Sequence, residues 1–184
     1  TGIVDFVSQL VKLGWEIIST GGTAKVLKQA GISIVPIEKI TGNPEVFDGR
    51  MKTISFQIEG AILFDRGDKT HLKEAKKLRI SPIDMVVCNF YPFKQAVSRK
   101  NCTIMEAIDN IDIGGPTMIR AAAKNYKHVI PVIDPEDYKT VLRYLRGKSG
   151  FPERMRLQYA QKAFKITAEY DKEISQYLKN VSQK

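Results

Sequence analysis

The sequence is poor in the residues that mark metal centres, disulfide scaffolds and membrane spans. Of 184 residues only two are cysteine, two histidine and one tryptophan. Cys88 and Cys102 stand far apart with no C-x-x-C pattern, which excludes a disulfide framework and fits a reduced, cytoplasmic compartment. His71 and His128 have no cysteine or histidine at ligand spacing, so a zinc site is not expected. No apolar run approaches the ~18–20 residues of a spanning helix. A signal-peptide pattern is missing too, and the chain starts at Thr1 rather than methionine, which reads as a truncation or a processed product.

What remains is an ordinary globular composition, 43% hydrophobic and 27% charged, in a chain long enough to bury its own core. The formal charge is +9, but it is unevenly spread. Residues 139–184 hold 11 basic and 4 acidic side chains, whereas the first 138 hold 18 and 16. That pattern favours a basic C-terminal segment with solvated helix faces over a general nucleic-acid surface.

Helix and strand signals alternate. Ile3, Val4, Phe6, Val7, Leu10, Val11 and Leu13 recur at helical spacing, and Gly14 closes that helix. Trp15–Ser19 reads as a strand, followed by a helix that Gly31 stops. Ile32–Ile37, Ile58–Phe64, Ile83–Asn89 and Val129–Ile133 read as further strands, with a charged helix over His71–Arg79. Asp134 and Pro135 start another helix. The expected fold class is therefore α/β, a parallel sheet with helices on both faces. After a break at 147–152, Met155, Tyr159, Ala163, Ile166, Tyr170, Ile174 and Tyr177 mark one face of a long helix, too apolar to be left in water.

Four segments can carry chemistry. Ser19-Thr20-Gly21-Gly22-Thr23 joins a strand to a helix, where free N–H groups, the helix dipole and three hydroxyls suit a phosphate; a plain capped turn is the alternative. In Asp48–Thr53, Arg50 and Lys52 lie two apart, which on an extended segment turns both cations to one side, as gripping an anion requires; a solvated loop fits as well. Asn89-Phe90-Tyr91-Pro92-Phe93 leaves the C-terminal end of the most apolar strand, the edge where open α/β sheets bind ligands, so Asn89 and Tyr91 can hydrogen-bond a flat heterocycle; a capped strand end with core aromatics fits equally. In Ile111–Asn125, Asp112 precedes Gly114, Gly115 and a helix with Pro116 in its first turn. Its flanking isoleucines suggest a partly buried carboxylate suited to proton transfer, or else a simple helix anchor. Lys124 follows three alanines on that helix, a small-residue surface for its ammonium to reach across; an ordinary lysine at a helix C-terminus is the alternative.

Taken in order, S-T-G-G-T-A, D-G-R-x-K-T, V-x-N-x-Y-P-F, N-I-D-I-G-G-P-T-M-I-R-A-A-A-K-N and K-A-F-x-x-T-A-x-Y-D resemble the IMP cyclohydrolase domain. That domain is the N-terminal half of the bifunctional purine-biosynthesis enzyme whose other half is a formyltransferase. The resemblance runs from Thr1 to about Leu178. It implies a methylglyoxal-synthase-like fold over residues 1–146 and a C-terminal helical extension over 147–184, packed on the domain or on a partner. It further implies closure of 5-formamidoimidazole-4-carboxamide ribonucleotide to inosine monophosphate with loss of water, a hydrolase activity needing no metal or organic cofactor. The implied partners are the ribonucleotide substrate, a second copy in a homodimer and a formyltransferase domain, with no nucleic acid and no membrane. By the same resemblance, Ser19, Thr20, Gly21, Gly22 and Thr23 hold the 5′-phosphate, and Arg50, Thr53, Asn89, Ile113, Gly114 and Gly115 surround the rest of the substrate. Lys52, Tyr91, Asp112 and Lys124 are the implied catalytic group: Asp112 for the amide proton, Lys52 for the formyl oxygen, Lys124 and Tyr91 for proton delivery.

The sequence departs from the family pattern in two places. Where the family reads L-H-P-x-x-H after the K-T pair, this chain has Ile54-Ser55-Phe56-Gln57-Ile58-Glu59, so both histidines are replaced. Altered strand packing or substrate approach is expected there. Family members also carry a strand and an S-x-x-K ahead of the T-G-I with which this sequence opens. A ligand-sensing module of the same fold, like the regulatory domain of carbamoyl phosphate synthetase, or a methylglyoxal synthase shares the phosphate turn but not the I-D-I-G-G and A-A-A-K-N blocks.

Overall fold

The structure, a computed structural model, describes residues 2–90, 93–99 and 102–183. Its helices are α1 (Ile3–Lys12), α2 (Gly21–Gln29), α3 (Ile37–Thr41), α4 (Phe56–Leu63), α5 (Lys69–Lys77), α6 (Phe93–Val97), α7 (Ile104–Asp109), α8 (Gly114–Lys124), α9 (Tyr138–Arg146) and α10 (Glu153–Ser182). The strands are β1 (Ile18–Ser19), β2 (Val35–Pro36), β3 (Met85–Val87) and β4 (Ile130–Val132).

Both strand pairs are parallel, as the alternation of elements requires, and an isolated antiparallel bridge joins Val46 to Met51. β1 pairs with β2 in the register Ile18↔Val35, and β3 pairs with β4 in the register Val86↔Pro131. The single sheet expected from the sequence is not continuous among the described residues: the strands stand as two separate parallel pairs. Each strand is only two or three residues long, and a broad groove lined by Ile18 of β1 and Met85, Val86 and Val87 of β3 lies along both pairs.

A second correction concerns Ile58–Phe64, which is not a strand but most of α4. Ser55 caps that helix, its hydroxyl accepting from the Ile58 N–H at 3.1 Å, and Ile58, Ala61 and Ile62 are buried at i, i+3 and i+4. The serine that replaces a family histidine is thus a helix cap, and Glu59 sits half-buried in the first turn, its carboxyl held above the usual range by desolvation.

Two apolar clusters form the core. In one, Ile37, Ile58, Ile62 and Val86 pack with Ile119 and Ala121–Ala123 of α8 and with Ala160 and Ala163 of α10. In the other, Phe6, Val7, Leu10 and Leu27 pack with Ile130, Val132, Tyr138, Val141, Phe151 and Tyr159. The apolar face of α10 thus supplies both clusters and lies on the body of the chain, its small residues allowing close approach to the alanines of α8. Among the described residues no helix is long and apolar enough to cross a membrane.

Candidate active site

The broad groove has a volume of about 1830 Å³, and its lining draws on all four segments singled out in the sequence. Ser19 and Thr20 end β1 and lead into α2, whose first residue, Gly21, has φ +57°. That left-handed backbone is cheap only for glycine. Gly22 has no atom within 4 Å of where a β-carbon would stand, so the N-terminal turn of α2 is open. Its amides and dipole are available to an anion.

Three close contacts join the segments. A β-carbon on Gly21 would lie 3.5 Å from the Lys52 ammonium, which also stands 3.9 Å from the Glu45 carboxylate. Lys52 therefore brings a cation to the phosphate turn. Thr53, 7% exposed, packs its hydroxyl over Gly114, where a β-carbon would meet Thr53 Oγ1 at 2.3 Å. At Gly115 a β-carbon would meet Asp112 Oδ2 at 2.3 Å and Cys88 Sγ at 2.7 Å. Both glycines of the I-D-I-G-G block are required by what lies against them.

Asp112 is half-buried ahead of α8. Its Oδ1 accepts from the Gly115 N–H at 2.9 Å, and its own N–H donates to Tyr170 Oη at 2.8 Å. Cys88 is in the same cluster; burial and the adjacent Asp112 charge push its thiol up to about 12. It is held as a neutral thiol at physiological pH and cannot serve as a nucleophile. Asn89 donates from Nδ2 to Tyr138 Oη at 3.2 Å, which leaves its amide oxygen to accept from a ligand.

Against this geometry the comparisons with known proteins can be placed. Residues 2–117 match the model of the MGS-like domain. The chain belongs to the MGS-like domain family. Residues 122–184 match a second model, that of the AICARFT/IMPCHase bienzyme. The chain is 50% identical over 177 residues to the bifunctional purine biosynthesis protein PurH of Thermoanaerobacter sp. (strain X514), which covers 96% of this chain and 35% of that protein. It is 47% identical over 179 residues to PurH of Acetivibrio thermocellus, covering 97% and 35% respectively. The chain thus spans about a third of the length of these relatives. Among solved structures it resembles the crystal structure of ForH, with 35% identity, a TM-score of 0.79, and coverage of 95% of this chain and 90% of that one. The resemblance carried by the motifs, and the α/β class with it, therefore holds.

Within this MGS-like site, Ser19–Thr23, Arg50, Lys52, Thr53, Asn89, Asp112, Ile113, Gly114 and Gly115 all line the groove. Arg50 is exposed and ion-paired with Asp109 on α7. Lys124 is not brought to the groove: it is exposed in the last turn of α8, whose 11 residues separate it from Gly114 by about 15 Å. Tyr91 lies outside the described residues. Sequence reasoning missed Tyr138 and Tyr170, which hold Asn89 and Asp112 from positions 49 and 58 residues away. The T-A-x-Y-D block was the available signal for Tyr170. Among the described residues no group of three or more His, Cys, Asp and Glu side chains could hold a metal ion.

Proposed function

We propose that this chain closes 5-formamidoimidazole-4-carboxamide ribonucleotide to inosine monophosphate, as the cyclohydrolase part of a longer cytoplasmic protein with a formyltransferase part. Residues 1–146 supply the groove and residues 147–184 brace it. The observation that carries this reading is the stitching of the phosphate turn, the Lys52–Thr53 pair and the Asp112–Gly115 block into one groove by glycine contacts.

In the reaction the carboxamide nitrogen adds to the formyl carbon of the same molecule. A proton leaves nitrogen, the former carbonyl oxygen gains one, and the carbinolamine then loses water to leave the C=N bond of the purine ring. An amide nitrogen is a weak nucleophile, so the gain comes from holding both arms face to face and from charge placed where it develops. The turn at Ser19–Thr23 anchors the 5′-phosphate, with Lys52 beside it adding positive charge. Asp112, fixed by Gly115, accepts or steers the amide proton. Asn89 Oδ1 accepts from the base. From its position beside Gly21, Lys52 serves the formyl oxygen only if the substrate folds back toward the turn. Lys124 joins the catalytic group only through a rearrangement or a second copy of the chain in a homodimer.

The test is an absorbance assay for inosine monophosphate formed from the formylated ribonucleotide. Turnover that depends on Asp112 is expected; no product from the folded chain at saturating substrate removes the proposal.

A further inference from the structure

Asp112 is held at two points. Its carboxylate is fixed by the Gly115 N–H within its own segment, but its main chain is fixed by Tyr170, from the middle of α10. Tyr170 is 6% exposed, so this hydrogen bond forms away from competing water. The ring is seated at 5.0 Å from Phe90, tilted, and at 6.4 Å edge-on to Phe93. Phe90 directly follows Asn89. One tyrosine therefore touches both segments that flank the groove at this end, with its ring against the end of β3 and its hydroxyl on the residue that bears the carboxylate. The Asp112 N–H precedes α8 and has no helical partner of its own, so without Tyr170 it would be left unpaired in a half-buried place.

We propose that Tyr170 is the positioning residue of Asp112, so that the C-terminal helix, through a single phenol, sets where the site's carboxylate stands. Its effect on turnover rests on the ring-closure reading above; its effect on the geometry of Asp112 does not. The ring supplies packing that phenylalanine would also supply. The hydroxyl supplies the hydrogen bond, which phenylalanine cannot replace. Removing it frees the Ile111–Ile113 segment to shift and takes Oδ1 away from the Gly115 amide. A displacement on the order of 1 Å at a reacting group costs up to about 100-fold in rate.

The experiment compares the chain and its Tyr170→Phe variant in two measurements. Amide nuclear magnetic resonance is expected to show the Gly115 proton, whose hydrogen-bond partner is Asp112 and not Tyr170, moving upfield in the variant as its bond to the carboxylate lengthens, and the Asp112 amide losing its protection from solvent exchange. With the formylated ribonucleotide, kcat is expected to fall about 10- to 100-fold while KM stays close to the original, because the phosphate turn is untouched. An unmoved Gly115 resonance overturns the proposal whatever the rate does, and so does a raised KM at constant kcat. If the original chain shows no turnover yet Gly115 moves in the variant, the ring-closure reading fails and the positioning stands. Should the variant not fold, the original chain still decides: an Asp112 amide that exchanges as fast as an exposed loop overturns the proposal, and protection at the level of the core supports it.

Discussion

The two glycine pairs of the groove look alike in sequence and do opposite things. Gly21-Gly22 opens α2 with nothing against Gly22 and its N-terminal amides uncommitted to side chains. Gly114-Gly115 opens α8 with Thr53, Asp112 and Cys88 pressed so close that no β-carbon fits, and the Gly115 amide is already bonded to Asp112. A helix N-terminus attracts negative charge in both cases. In α2 no side chain caps the start and the first turn holds no acidic residue, whereas in α8 the charge comes from the protein's own carboxylate. The first pair leaves an open helix start, and the second makes a rigid mount for the Asp112 carboxylate.

The comparison is broken most forcefully at the charges. Asp112→Asn and Lys52→Ala are each expected to cut turnover by about 2.7–4 kcal/mol of transition-state stabilisation with the fold intact. Near-normal turnover at saturating substrate in either would remove that residue from the chemistry. Next comes the phosphate: losing one charge-assisted hydrogen bond costs about 1.5–3 kcal/mol, so inosine is expected to bind at least tenfold more weakly than inosine monophosphate. Equal affinities by calorimetry would remove the phosphate role from Gly21-Gly22.

The glycines themselves sharpen the contrast. Gly115→Ala must displace Asp112 or Cys88 and is expected to cost about 1–3 kcal/mol, a drop in Tm of roughly 2–12 °C, whereas Gly22→Ala should leave Tm unchanged or slightly raised. Equal Tm values for the two variants would show that the second mount yields freely. The smallest effect is read with a thiol reagent. Cys88, whose thiol is raised to about 12, ionises only in strong alkali, so below that range labelling at neutral pH should stop at Cys102. Two thiols labelled at equal rates would contradict the tight packing at Gly115.

Much of this arrangement was legible before any coordinates. Period-3.6 stripes gave α1 and α10, glycine stops ended α1 and α2, and the apolar run around Val86 gave β3. Local motifs gave the four site segments because each carries its own chemistry within a few residues. Ile58–Phe64 misled because a short apolar run fits strand and helix equally; Ser55 as a cap and the i, i+3, i+4 burial of Ile58, Ala61 and Ile62 were the deciding signs. No expectation covered α7 at all, although Thr103 and Glu106 open it with a capping box. What a linear reading could not supply is tertiary: that Lys52 leans on Gly21, that Arg50 pairs with Asp109, and that two tyrosines far along the chain grip Asn89 and Asp112.

The hydrogen bond from Asp112 to Tyr170 also has a meaning in time. Its partners are 58 residues apart, and a ribosome adding about 5–20 residues per second makes the tyrosine roughly 3–12 s after the aspartate. Through that interval the Asp112 amide is without its Tyr170 partner, and the alanines of α8 are without Ala160 and Ala163. Leu27 of α2 waits in the same way for Val141, Phe151 and Tyr159, so both ends of the groove gain their last packing partners only as α10 is made.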